Sequence, residues 1–427
     1  MNNEPRNTSR TSGPFLLVIC LTIWPVCAAI AILTNESVAA LPEYFVHRGI
    51  GHLVLVTALI VSVFTSLRIK PLIQPCLSAT QGVLIALVAI SIVYSTAFAQ
   101  PDLRLLIPFS VYFFLSAIAI LCCVRLFSKW PRATLRWVWD GMFLSMIMYL
   151  PVFAFIIAGD PSEHPYGWTG AWVPVQNIRG LAALVVIAIA AGTAGPWRSE
   201  AASKPWDTLR PFLLFILWTI LFWTGSRAQL LGILGALTVL SVLGGGEGRR
   251  IGLRAAKIAA PSLLLSVILP VPNGSFGFVT RLAKRSLTDE TVNAFSSGRI
   301  EMWGASMQKI MEKPLFGSGI GQFFPATGYR FNAYQNHNFP IEALLNLGLI
   351  GGGALIVLVF GLYWNLTRKA MNYGFPRDAM PPFLVMSTIL LMSLLSGAVL
   401  AITISIYFIL SVAGVWAVTK LHSSPVP

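Results

Sequence analysis

The chain is punctuated by apolar stretches long enough to cross a membrane, and this limits its fold more than any other feature. About twelve such stretches lie between charged residues: 14–33, 50–67, 77–98, 105–124, 137–157, 179–195, 209–224, 228–243, 255–271, 348–366, 382–399 and 401–419. The hydrocarbon core of a bilayer takes roughly 20 apolar residues in helical form, so each stretch is a candidate span. The pair 209–224 and 228–243 reads as one helical hairpin broken at Gly225. Charged residues make up 11% of the 427 positions and hydrophobic ones 56%, whereas roughly a quarter of a soluble protein is charged. A water-soluble fold has no place for that much apolar surface. The expected fold is therefore all-α: a polytopic integral membrane protein of about 12 transmembrane helices.

A net charge of +14 suits nucleic acid as well as a membrane, so the positions of the basic residues decide. With the N-terminus in the cytoplasm, nineteen Lys and Arg fall in inner loops, against Arg48, Arg104, Arg179 and Arg227 in the short outer ones. The remaining basic residues sit together in one long outer segment. That asymmetry satisfies the positive-inside rule, so the charge reports topology and gives no reason to expect nucleic acid. It marks the chain as a multi-pass membrane protein with its N-terminus inside. The first span follows Arg6 and Arg10 and holds Ala29-Ile30-Ala31, similar to a signal-peptidase site. Its apolar run exceeds the ~7–15 residues of a signal peptide, so an uncleaved signal anchor is expected. Cys20, Cys27, Cys76, Cys122 and Cys123 lie in or against spans without a Cys-x-x-Cys pair. They read as small apolar residues, with neither a disulfide framework nor a metal site.

Three segments are expected: spans one to nine over 1–271, an outer cap over 272–347, and spans ten to twelve over 348–427. Loops beyond ~12–15 residues are usually functional or disordered, and this cap is too rich in Phe, Trp, Ile and Leu for disorder. Within it, 299–313 places Ile300, Trp303, Met307, Ile310 and Met311 on one face of an amphipathic helix that Pro314 ends. A glycine-dense turn follows. A second apolar helix is expected to begin near Asn338 and run towards the tenth span.

Arg227, in Gly225-Ser226-Arg227 at the outer mouth between two spans, fits either a snorkelling side chain or a phosphate clamp. The outer side is the one the charge rule disfavours for arginine, and Gly225 and Ser226 leave room for a ligand. Arg299 opens the amphipathic helix, where free N–H groups and the helix dipole favour an anion; pairing with Glu301 is the bland alternative. Arg281, Lys284 and Arg285 share one helical face and suit anionic head groups better than a site role. His337 lies between Asn336 and Asn338, just before an apolar helix. A lone interfacial histidine is more often structural, but imidazole can take a proton at neutral pH. The flanking asparagines could fix its tautomer or hold a sugar hydroxyl.

Absences narrow the chemistry. The outer acids show no metal-ligand spacing, and no Gly-x-Ser-x-Gly or Walker sequence occurs. Gly317, Gly319 and Gly321 lack the following Lys-Ser/Thr of a phosphate loop and read as a tight turn. Outer arginines with one histidine suit a reaction in which a phosphate leaves and its charge is neutralised.

Taken in order, the motifs resemble the O-antigen ligase/polymerase superfamily. They are Gly225-Ser226-Arg227; Gly298-Arg299-Ile300-x-x-Trp303; Lys313-Pro314-Leu315-Phe316-Gly317-x-Gly319-x-Gly321-x-Phe323; and His337-Asn338 ahead of Glu342 and Gly348-Leu349-Ile350-Gly351. Trp172 to Leu181 is similar to a weaker upstream motif. The resemblance implies an inverting, metal-independent, GT-C-like glycosyltransferase with no cofactor and a periplasmic active site. Its donor would be undecaprenyl-diphosphate-linked glycan. Arg227 and Arg299 match the family's diphosphate-binding arginines and His337 its proposed base. Arg48, Arg179, Arg281 and Arg285 complete the expected donor-binding set, with Asn336, Asn338 and Ser226 in support.

Among the family's branches, ligation of O-antigen onto lipid A–core is expected first. A polymerase, the alternative, would need a second diphosphate site, and only the cluster at Arg281, Lys284 and Arg285 offers one. Protein glycosyltransferases of the family often carry a C-terminal soluble domain, and the chain stops soon after Thr419. From another class, a secondary transporter fits twelve spans but not polar residues gathered at one face. The expected partners are the lipid-linked O-antigen, lipid A–core and membrane lipids.

Overall fold

The computed structural model describes residues 12–34, 79–98, 132–159, 178–195, 204–273, 276–286, 298–323, 336–396 and 402–423, with single positions 123, 127, 130 and 327. Arg48, the expected span 50–67 and, but for Cys123, the expected span 105–124 lie outside them. The described residues form helices and turns with no strand among them. In chain order the helices are α1 (Ser12–Thr34), α2 (Ala79–Phe98), α3 (Arg132–Ala158), α4 (Ile178–Ala194), α5 (Lys204–Thr224) and α6 (Arg227–Leu243). There follow α7 (Gly245–Ile268), α8 (Phe278–Ser286), α9 (Arg299–Glu312), α10 (Phe339–Asn372), a short 3-10 turn (Arg377–Ala379), α11 (Met380–Ser396) and α12 (Ile402–Ser423).

Five stretches, 135–158, 245–268, 339–372, 377–396 and 404–422, are long and apolar enough to cross a membrane. Five shorter apolar helices, 17–27, 80–95, 178–194, 208–224 and 227–243, stand among them. Each falls on one of the stretches expected from sequence. The chain is a polytopic helical membrane protein.

Helix α4 is the centre of the bundle. Leu181 through Ala194 are all buried, which is what an all-round apolar helix requires. Its run of Ala and Gly lets neighbours approach closely: a Cβ on Gly192 would lie 2.5 Å from the Phe143 ring of α3. Helices α3, α5 and α11 pack around it, and α6 packs on α11. Gly232 sets that second contact, since a Cβ there would meet Met392 at 2.7 Å. Trp24 of α1 donates its indole N–H to the Tyr407 hydroxyl of α12 at 2.9 Å, joining the two ends of the chain.

Two details differ from expectation. The tenth span is not separate from the cap: α10 begins at Phe339 and continues through a break at Gly348 (φ 65°, ψ −169°) to Asn372. The apolar face expected on α9 also divides. Met302, Ser306 and Ile310 are the buried residues of α9, whereas Ile300, Met307 and Met311 are exposed. The buried strip packs with Phe323 and Leu345 into a small core of the cap's own. Periodicity alone does not distinguish a face that meets protein from one that meets lipid or head groups.

Candidate active site: crowded arginines beside a strained histidine

The site gathers at one end of the bundle, on the ends of helices. Gly225 makes the turn between α5 and α6 with φ +64°, a conformation that excludes most side chains. Its N–H donates to the Phe222 carbonyl at 3.1 Å, and its carbonyl accepts from Arg281 Nη1 at 2.6 Å. The segment after α7 braces the same turn. Gly277 N–H donates to the Trp223 carbonyl at 2.7 Å, and the Trp223 indole donates to the Pro270 carbonyl at 2.9 Å.

The turn delivers Arg227 as the first residue of α6. Ser226 is its N-cap by position, yet makes no side-chain cap bond, and its buried Oγ has no hydrogen-bond partner among the described residues. An N-cap hydroxyl ordinarily satisfies an N–H of the first turn. Here that turn keeps its donors for something else.

Arg179 lies in the first turn of α4, and its carbonyl accepts from Gln229 Nε2 at 3.2 Å, so the starts of α4 and α6 are tied together. Arg299 opens α9 behind Gly298 (φ +76°). Its Nε is buried with no hydrogen-bond partner among the described residues. Burial first, then the positive charges of Arg179 and Arg227, pull the Arg299 guanidinium down from 12.5 to about 10. Three cations crowded in a partly dry place favour an anion.

His337 lies on the loop that enters α10. Its φ of +58° is rare for a residue with a Cβ and costs on the order of 1–3 kcal/mol unless its surroundings impose it. They do. Asn336 is fully buried, and its carbonyl accepts from the Trp303 indole at 2.9 Å. The Asn336 Oδ1 takes the Asn338 N–H at 3.0 Å. Asn338 caps α10 by accepting from the Ile341 N–H at 3.0 Å, and donates its amide to the Leu394 carbonyl of α11 at 2.9 Å. Both asparagines thus bond to backbone and hold the histidine's conformation. Because Trp303 lies one turn along α9 from Arg299, the same helix ties the histidine loop to the arginine cluster.

The glycine-dense turn is a clasp. Ser318 and Gly319 donate to the carbonyls of Leu345 and Asn346 at 2.8 and 2.9 Å, while Leu349 and Ile350 donate to those of Pro314 and Leu315 at 2.7 and 3.1 Å. Its backbone fills the break in α10 at Gly348, where a Cβ would lie 2.3 Å from the Leu315 carbonyl. Tight-turn glycines, as read from sequence, fit this use.

Of the residues singled out in sequence, the structure brings together Arg179, Arg227 and Arg299, with Ser226 beside Arg227, and ties the loop of Asn336, His337 and Asn338 to the helix of Arg299 through Trp303. Arg281 lies on α8 and is bonded to the turn that carries Arg227. The side chains of Lys284 and Arg285 lie outside the described residues, as does Arg48. Among the described residues no three His, Cys, Asp or Glu stand together as a metal site. Sequence reasoning passed over Trp303 and Gln229 as positioning residues, and Glu342 with Asn346 as a buried polar pair. The i,i+4 spacing of the last two on an apolar helix was the available signal.

Helices of a membrane protein thus start from a cluster of partly exposed arginines, with a held histidine on a loop tied to one of them. Residues 212–356, about a third of the chain, match the family model described as O-antigen ligase, and over that stretch the chain is similar to the O-antigen ligase superfamily, whose members are membrane ligases and polymerases of glycosyltransferase type. The match takes in Arg227, Arg299 and His337. No curated protein matches the chain.

Proposed function

We propose that the protein is an O-antigen ligase of the bacterial inner membrane. In this reading it transfers O-antigen glycan from undecaprenyl diphosphate to a sugar hydroxyl of lipid A–core on the periplasmic side. The observation that carries the reading is the crowding of Arg179, Arg227 and Arg299 beside His337. The donor diphosphate lies against the arginines, where forked guanidiniums bond two oxygens each and the uncapped start of α6 adds backbone donors. Arg281, bonded to the turn that carries Arg227, adds positive charge there.

His337 removes the proton from the acceptor hydroxyl. The acceptor oxygen forms a bond to the donor anomeric carbon from the face opposite the phosphate, and the bond from that carbon to the phosphate oxygen breaks. Undecaprenyl diphosphate leaves with the bonding pair and the configuration inverts. The guanidiniums stabilise the charge on the leaving group, so the two carboxylates of a glycosidase are not needed. The reaction needs no metal or cofactor, and a chelator leaves it intact.

The polymerase reading shares the donor chemistry and differs in the acceptor, a second lipid-linked diphosphate. A single arginine cluster at the end of the bundle where α4 and α6 start, among the described residues, favours the ligase. The test is deletion of the gene. Loss of the ligase leaves full-length O-antigen on undecaprenyl diphosphate and lipid A–core bare. A mutant whose lipid A–core carries a single repeat unit overturns the ligase in favour of the polymerase.

A further inference from the structure

The end of the bundle opposite the arginine cluster holds a second basic site. It is a bay of about 460 Å³, within the size range of small-ligand sites. The first turns of α3 and α7, the end of α4 and the 3-10 turn before α11 enclose it. Arg136, Arg250, Arg254 and Arg377 line it, with Glu247 and Asp378 as the acids. Arg136 donates to Asp378 from Nη2 at 2.9 Å, and Glu247 accepts from Arg377 at 3.4 Å and faces Arg250 at 3.6 Å. Four guanidiniums against two carboxylates leave a surplus of two positive charges.

The bundle beneath carries its own ion pair. Arg210, which lies against Gly195 in the wall of the bay, is buried and paired with Asp140. Leu135, Trp139, Met380 and Pro381 give the bay an apolar side. A concave site with convergent arginines and an apolar wall differs from the dispersed basic residues that merely mark the inner face, such as Arg249 and Lys257 on the exposed side of α7.

We propose that this bay binds a phosphate group, supplied either by the head group of an anionic phospholipid or by a soluble polyphosphate. A lipid phosphate would sit between the guanidiniums with its glycerol against the apolar wall, as basic pockets between membrane helices hold such head groups. A soluble diphosphate would use the same arginines and leave the wall bare. Either one bridges α3, α7 and the turn into α11, so occupancy stabilises the fold. The inference is independent of the transfer reaction.

The experiment follows thermal unfolding of the full-length, delipidated protein in neutral detergent with phosphatidylglycerol, with phosphatidylcholine, or with inorganic pyrophosphate. It is repeated in an Arg299→Gln background, so that anions at the opposite end do not contribute. Phosphatidylglycerol is expected to raise the midpoint by several degrees and phosphatidylcholine not to. Arg250→Gln, whose side chain is 69% exposed in the native protein and so is dispensable for folding, should lose at least half of the rise. Arg368→Gln on α10, outside the bay, should keep it. A rise with pyrophosphate alone assigns the site to a soluble ligand, and a rise with the lipid alone assigns it to the membrane. Equal rises with both lipids, an undiminished rise in Arg250→Gln, an equal loss in Arg368→Gln, or no rise with either phosphate overturns the proposal.

Discussion

Replacing Arg299 by glutamine should make the empty protein more stable and the enzyme worse. Burial and two neighbouring guanidiniums hold the Arg299 guanidinium down at about 10, well below the usual arginine range, so the charged form is disfavoured in the folded site. At 1.36 kcal/mol per unit the penalty is about 3 kcal/mol, a ceiling because water and salt reaching the open side screen it. A base whose folded value is depressed costs stability at every pH below that value. The cost is relieved only as pH rises from about 10 towards 12.5, where lysines and tyrosines also titrate, so substitution is the cleaner perturbation. Arg299→Gln keeps most of the side-chain volume and removes the charge. Its unfolding midpoint in detergent, free of donor, should rise by a few degrees, on the order of 1–3 kcal/mol. Transfer from undecaprenyl-diphosphate glycan should fall ~10²–10³-fold, the usual loss when one donor to developing charge is removed. The two effects have opposite signs because one group is strained in the empty site and used in the filled one. A variant that unfolds earlier and transfers normally would refute the argument, since Arg299 would then be a structural residue.

The same logic separates strain from chemistry at His337. His337→Ala and His337→Gly should both lose transfer by ~10²–10⁴-fold while still binding donor, and the glycine variant should unfold about 1 kcal/mol later than the alanine because φ is +58° there; wild-type transfer in either removes the base. Gly348→Ala should cost about 2 kcal/mol or more, since its Cβ meets the Leu315 carbonyl at 2.3 Å with φ +65°, and an unchanged midpoint would mean the clasp yields freely. Membrane-impermeant thiol reagents should label a cysteine placed at Ser286 and spare one at Glu247, and the reverse would put the arginine cluster in the cytoplasm.

How far the site could be read beforehand depends on what kind of signal each part leaves. Spans announce themselves because an apolar helix in a bilayer has to be apolar over most of its length, and the ten described helices of that kind sit where hydropathy places them. Arg227 and Arg299 stand out for a related reason: a cation at the outer mouth of a helix is costly enough to need a use. Arg179 was expected in the same donor-binding set, but what brings it there was not legible: α4 and α6 start side by side, a fact carried by one bond from Gln229 to a backbone carbonyl. The asparagines around His337 were visible as neighbours, but their bonds to Ile341 and Leu394 belong to tertiary structure. So does the break at Gly348, because glycine within an apolar helix usually means close packing, and only the backbone of Pro314 to Gly319 makes it a clasp.

These parts share one mechanical feature. Each candidate site residue is delivered by the start of a helix: Arg179 by α4, Arg227 by α6, Arg299 by α9 and His337 by the loop that Asn338 caps onto α10. Helix starts bring unsatisfied N–H groups and the positive end of the dipole, so the backbone adds to the field of the guanidiniums. Four helices held at one end by a buried α4 and by α11 can keep that field in place without a carboxylate to neutralise Arg299, whose lowered value records the tension. Three like charges set together in this way favour an anion carrying more than one negative charge. Under the proposed function that anion is the donor diphosphate, which, bonded to a sugar, would also be the group that leaves.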